Sequence, residues 1–338
     1  MDIPDWPRAG GSAAGAALLK ASAEDFLVEE ELGFEPSGDG PHHYLFVEKT
    51  GCNTQWVASR LARHAGVRAR DVGYAGLKDR HARTRQWFSV PLRDAAPTDW
   101  AGFAAEGVRL LATTRNRRKL RRGALSGNRF EVRLRDVRAD RAILESGLQR
   151  VAVDGAPNYF GRQRFGREGG NLELARQLFD GERLGRRERE FGLSAARAWL
   201  FNQVLARRVG DGSWDRALDG EVLILDGRGS VFHTEAADES LAARVVSGEV
   251  HPTGPLWGRD GPRPAAAAAA VEQTVAAEWQ WLAAGLEAAG LEMARRSLRL
   301  VPRALAWSWE DGDCLLLRFS LPAGEYATTL VRELLETD

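Results

Sequence analysis

The chain has 338 residues, 44% hydrophobic and 28% charged, with formal charges that cancel and two cysteines, Cys52 and Cys314, in no C-x-x-C arrangement. That composition excludes a disulfide scaffold and a disordered chain, and the length points to two domains. No apolar run approaches membrane-spanning length, and no basic segment with an apolar run behind it opens the chain. Neither a membrane partner nor a secretory leader is therefore expected, and the reducing cytoplasm is the expected compartment.

In chain order, the Gly-, Ala- and Pro-rich residues up to Gly15 are expected to be poorly fixed. Lys20 to Glu31 reads as a strand with Phe26 and Val28 on one side and Leu27 on the other. Glu35 to Pro41 is a turn, and His43 to Lys49 a second strand. His42 and His43 are adjacent, but no further His or Cys stands at ligand spacing, so no metal is expected. Asn53 is placed to cap a helix through His64 that buries Val57 and Leu61, with Arg60 and Arg63 outward.

The stretch Val72 to Val90 reads V-G-Y-A-G-L-K-D-R-H-A-R-T-R-Q-W-F-S-V. Strands are expected at Val72–Ala75 and Thr84–Val90, joined by a loop from Leu77 to His81. Asp79 then sits at a strand end among Lys78, Arg80, His81, Arg83 and Arg85. Neighbouring cations keep a carboxylate ionised, which suits a nucleophile or an electrostatic stabiliser. The bland alternative is a turn aspartate that bonds its own backbone.

Two more strands are expected at Gly107–Thr113 and Asn128–Val137. Between Ser59 and Arg135 there are nineteen Lys and Arg against six Asp and Glu, and Thr113 to Arg122 alone holds six cations and no acid. A segregated positive field suits a phosphate backbone. Of the 47 basic residues 43 are Arg, which reflects a compositional bias but not the local lack of acids.

From Val153 the character changes. Ala156 to Gly170 interleaves Tyr159, Phe160 and Phe165 with Arg162, Arg164 and Arg167; it can stack bases or form an inter-domain hinge with core aromatics. Ser194 is read as the cap of a helix to Val209, Glu221–Asp226 as a short strand, and the Ala-rich segment with Trp279 and Trp281 as one long helix. Asp313–Ser320 is a strand again, followed by a final helix burying Leu330, Val331, Leu334 and Leu335. There is no G-x-x-x-x-G-K-[ST], H-E-x-x-H, EF-hand or G-x-S-x-G pattern.

Six segments, in order, carry a resemblance: A-E-D-F-L-V-E-E, K-T-G-C-N-T, V-G-Y-A-G-L-K-D-R-H-A-x-T-x-Q, L-S-G-N-R-F, P-N-Y-F-G-R-Q-R-F-G and L-P-A-G-E-Y-A-T-T-L-V-R-E-L. From about Lys20 to Leu335 the chain resembles the TruD family of tRNA pseudouridine synthases. The resemblance implies an α+β fold: a pseudouridine-synthase catalytic domain with a mixed, largely antiparallel sheet, an inserted α/β TRUD domain, and an RNA-binding cleft between them. The expected division is 1–152 and 304–338 for the catalytic domain, with 153–303 as the insert.

It also implies isomerisation of uridine 13 in the D-arm of tRNA to pseudouridine, on a flipped-out nucleoside. Position by position, the family's catalytic aspartate falls on Asp79 and its accompanying basic residue on Lys20. Substrate contacts fall on Phe26, Asn128 and Tyr326, the last where Phe is expected, so its hydroxyl needs a partner. An ionised carboxylate there can attack the sugar, attack the base or accept a proton. No cofactor and no metal are expected, tRNA is the expected partner, and a monomer is expected. Two competing readings are a non-catalytic tRNA-binding or RNA-folding protein and a metal-free ribonuclease using His81 with Lys78.

Overall fold

The computed structural model describes residues 2–91 and 99–337, and the chain divides into two compact units. One comprises 15–139, 302–324 and the C-terminal residues from 336; the other comprises the N-terminal residues to 14, then 140–301 and 325–335.

The first unit is built on a ten-stranded sheet. Its strands include β1 (Gly15–Leu19), β2 (Phe26–Leu32), β3 (His42–Lys49), β4 (Gly73–Tyr74), β5 (Arg83–Pro91), β6 (Val108–Asn116) and β7 (Leu125–Ala139). The main path runs from the strand Arg303–Glu310 through Cys314–Pro322, β7, β2, β5 and β3 to β6. Most pairs are antiparallel, as strands joined by short connections favour. The exceptions are β2 with β5, and β1 with the strand Glu336–Thr337.

Helix α1 (Thr54–His64) covers this sheet, and the Asn53 side chain accepts from the Trp56 amide at 2.9 Å as its cap. Val57 and Leu61 are fully buried against Leu45, Val47, Phe88 and Val90. The alternation in β2 puts Phe26, Val28 and also Glu30 on the buried face. Register then decides chemistry: Glu30 stands opposite Asn128 on β7, and Lys49 opposite Thr84 on β5.

The second unit has a four-stranded sheet and a separate two-stranded pair joining Arg299–Leu300 to Ala156–Pro157. Its long helix Arg186–Gly210 buries Trp199, Leu200, Phe201, Val204 and Leu205. Several expectations change here. Trp6, expected to be poorly fixed, is buried and stacks on Tyr159 with ring centroids 5.8 Å apart. Ser194 lies inside the long helix rather than at its start, because the first turn is capped at Gly185 by Glu188. The Ala-rich segment is two helices, Ala266–Glu278 and Gln280–Ala288, separated at Trp279, whose backbone leaves helical geometry.

The unit boundaries differ from the expected 152/153 and 303/304. The helix Arg141–Asp154 and the final helix Ala327–Leu334 both group with the segment expected to be the insert. Arg150 on the first helix bonds Glu333 on the last at 3.2 Å, and the Ala14 amide bonds the Leu334 carbonyl.

Candidate active site

Asp79 lies on the exposed loop between β4 and β5. Its Oδ2 accepts from Lys20 Nζ at 2.7 Å and its Oδ1 from the His81 amide at 2.9 Å. Burial alone would raise its carboxyl pKa, but the hydrogen bonds from the Lys20 ammonium and the His81 amide, with the charges of the Lys20 and His81 side chains, outweigh it and hold the value below the usual carboxylate range. The group is ionised at neutral pH and remains accessible, its side chain being 37% exposed.

Lys20 follows β1 with φ at +60°, a left-handed conformation that costs a non-glycine residue about 1 kcal/mol or more. Its ammonium bonds Asp79 and stands 4.4 Å from the centroid of the Phe26 ring. Phe26 is itself buried against Phe130. Lys20, Phe26 and Asp79 are thus brought together.

Of the cations adjacent in sequence, His81 adds to the field at Asp79, whereas Lys78, Arg83 and Arg85 turn to other carboxylates. Arg83 and Arg85 reach Glu48, and Arg85 also reaches Glu29, because strand alternation points both across the sheet. Lys78 turns inward: its ammonium lies 3.2 Å from the fully buried Glu30 and donates to the Asn128 side-chain oxygen. Asn128 therefore joins the site through Lys78. It sits within β7.

Beneath the loop is a polar floor that the sequence reading missed. Lys49 is fully buried, and its ammonium donates to the carbonyls of Cys52, Asp79 and Lys78. Thr54 accepts from the Lys78 amide at 3.0 Å and donates to Gln86, whose amide reaches the Gly76 carbonyl. A compositional signal was available. The chain has only four lysines, Lys20, Lys49, Lys78 and Lys119, and the first three meet at this loop. A compact ammonium on a flexible stem fills a role there that a planar guanidinium does not.

The basic segment is more neutral than its sequence suggests. Glu29, Glu31, Glu48, Asp25 and Glu310, all outside 59–135, pair with its Arg85, Arg109, Arg129, Arg133 and Arg135. Within Arg115–Arg122, Arg117 pairs with Asp39, Lys119 bonds the Arg70 carbonyl and Arg122 the Tyr74 hydroxyl. Arg118 and Arg121 are exposed and have no ion pair among the described residues.

Tyr326 belongs to the other unit, where its hydroxyl accepts from Arg164 at 2.7 Å. It lines a cavity with Phe160, Arg164, Asn171, Phe191 and Ser194. Tyr159, Phe160 and Phe165, read as possible stacking rings, are core residues, while Arg164 packs on the Phe160 ring at 5.1 Å. Among the described residues no cluster of His, Cys, Asp and Glu forms a metal cage, and no helix is long and apolar enough to cross a membrane.

A crystal structure from Methanosarcina mazei described as a TruD protein superposes with a TM-score of 0.77, covering 98% of this chain and 96% of that one at 21% identity. The fold is therefore the α+β pseudouridine-synthase fold. The profile of the family described as tRNA pseudouridine synthase D (TruD) matches residues 11–183 and 181–334. Proteins named tRNA pseudouridine synthase D are 47% identical over 336 residues in Methylococcus capsulatus and 48% over 332 residues in Nitrosococcus oceani. These alignments cover 99% and 97% of this chain and 95% and 93% of the relatives. The chain belongs to the TruD family, an enzyme family of the isomerase class.

Proposed function

We propose that this chain converts uridine 13 in the D-arm of tRNA to pseudouridine, with the Asp79 carboxylate as the reacting group. The observation that carries the reading is an ionised, accessible carboxylate fixed 2.7 Å from an ammonium on a loop held from below. Family membership supports tRNA as the substrate, and the exposed Arg118 and Arg121 suit its phosphates. The first unit acts as the catalytic domain and most of the second as the inserted TRUD domain. The enzyme works in the cytoplasm, as a monomer.

In the reaction the uridine leaves its stack and meets Asp79. The bond from N1 to C1′ breaks, uracil turns over, C5 bonds C1′, the C5 hydrogen leaves as a proton and N1 takes one up, so the product is an isomer of the substrate. Lys20 keeps the carboxylate anionic beside the sugar and base, and Phe26 backs the ammonium. Asn128 offers its amide toward the nucleoside while Lys78 occupies its oxygen. Within the other unit, Arg164 satisfies the Tyr326 hydroxyl and leaves the ring as an aromatic face suited to a base.

The test is tritium release from tRNA labelled at uracil C5. Wild-type protein releases label from tRNA carrying uridine 13, Asp79→Asn does not, and a tRNA with cytidine at that position retains its label. Equal release by Asp79→Asn and wild type would remove the assignment. A binding protein would release none.

A further inference from the structure

The lysine beneath the loop has no role in the chemistry set out above. Lys49 ends β3 with its side chain wholly buried, and its three ammonium hydrogens face three backbone carbonyls: Cys52 at 2.7 Å, Asp79 at 2.9 Å and Lys78 at 3.5 Å. The adjacent Gly51 amide bonds the Arg80 carbonyl at 3.1 Å, and Thr54 takes the Lys78 amide. Asp79 is thereby held by two ammoniums, Lys20 on its carboxylate and Lys49 on its peptide carbonyl. Burying a cation is costly unless every donor is used, and here the three carbonyls take all three.

We propose that Lys49 is a positioning residue for the reaction, fixing the Asp79 backbone so that the carboxylate faces Lys20 and the nucleoside. The proposal rests on the reading that Asp79 is the reacting group. A neutral amine has only two hydrogens for three carbonyls and no charge to hold them, so Lys49 acts in its protonated form. The titratable groups facing it are Cys52, Asp79 and Lys78. Burial pulls its pKa down to about 8, partly opposed by Cys52 and Asp79 and reinforced by the Lys78 charge. The ammonium is then lost as pH rises through that value, well before an exposed lysine would deprotonate.

The experiment compares wild type, Lys49→Met, Lys49→Arg and Asp79→Asn in the full-length chain by tritium release, tRNA binding and circular dichroism. Lys49→Met is expected to bind tRNA as wild type does, with KM changed less than about threefold and kcat reduced about a hundredfold, the loss typical of a reacting group displaced by roughly an ångström. Lys49→Arg, charged at all working pH, restores part of kcat. Wild-type kcat falls above a pH of about 8, and in Lys49→Arg this limb moves to higher pH. A folded Lys49→Met with wild-type kcat overturns the proposal. Should Lys49→Met not fold, an alkaline limb left unmoved in Lys49→Arg overturns it instead. Turnover by Asp79→Asn would sink the underlying assignment, whereas inactive Asp79→Asn beside fully active Lys49→Met sinks only the role of Lys49.

Discussion

Two lysine–carboxylate pairs lie within one unit and differ in what surrounds them. Lys20 and Asp79 meet at 2.7 Å on the surface, with side chains 22% and 37% exposed. Lys78 and Glu30 meet at 3.2 Å in the interior, 7% and 0% exposed. Lys78 and Asp79 are neighbours in sequence, yet their side chains go opposite ways. A buried pair is locked by the desolvation cost of separating it, so it is suited to holding structure. An exposed pair contributes little to stability, and its carboxylate can exchange partners with a substrate.

The sharpest way to break this comparison is Asp79→Asn, which is isosteric and removes only the charge. It should lower turnover by about a thousandfold or more while changing stability by less than about 1 kcal/mol. Tritium release and urea denaturation on the same preparation check both. Glu30→Ala should do the reverse, leaving the Lys78 ammonium buried without its counter-ion. A loss of about 3–5 kcal/mol is expected, seen as a lower urea midpoint, and a midpoint equal to wild type would refute the structural role of that pair.

Lys20→Met tests what keeps Asp79 ionised. It should cost about tenfold to a hundredfold in kcat and move the acid limb of the pH–rate profile upward. The sign follows from the lowered carboxyl pKa: the active anion is present above that value and lost as pH falls through it. Removing the ammonium raises the value, so activity is lost at a less acidic pH. The same linkage makes the pair's small stabilisation complete above the unfolded carboxyl value of about 3.9 and lost below the folded one. The mildest change leaves both pairs intact. Arg118→Ala with Arg121→Ala should raise KM a few-fold, preserve kcat, and flatten the salt dependence of tRNA binding by about 0.7–0.9 for each phosphate no longer neutralised. An unchanged slope would make these two arginines a solvated surface.

Local patterns were legible where the physics is local. Asn53 caps α1 as read, because an N-cap needs only the next three residues. The alternation Phe130, Val132, Leu134 marks the buried face of β7, because a half-buried strand repeats every two residues. Reading stopped short at Glu30, which continues the buried positions of Phe26 and Val28; its charge argues for the surface, and only Lys78 makes burial tolerable. The rings of Tyr159, Phe160 and Phe165 were ambiguous for a related reason: stacking platforms and core residues use the same side chains, and only burial separates them.

The linear sequence by itself determined the strands that repeat every two residues, the capped helix, the loop that presents Asp79 and the family to which the chain belongs. Tertiary structure alone decided which cation meets which carboxylate. Lys20 and Asp79 are 59 positions apart, while Arg83 and Arg85, close to Asp79 in sequence, are drawn to Glu48 and Glu29 on other strands. Charge counted along a segment takes no account of partners that a sheet brings in sideways. A Coulomb interaction depends on distance and burial, and both are set by strand register rather than by order in the chain.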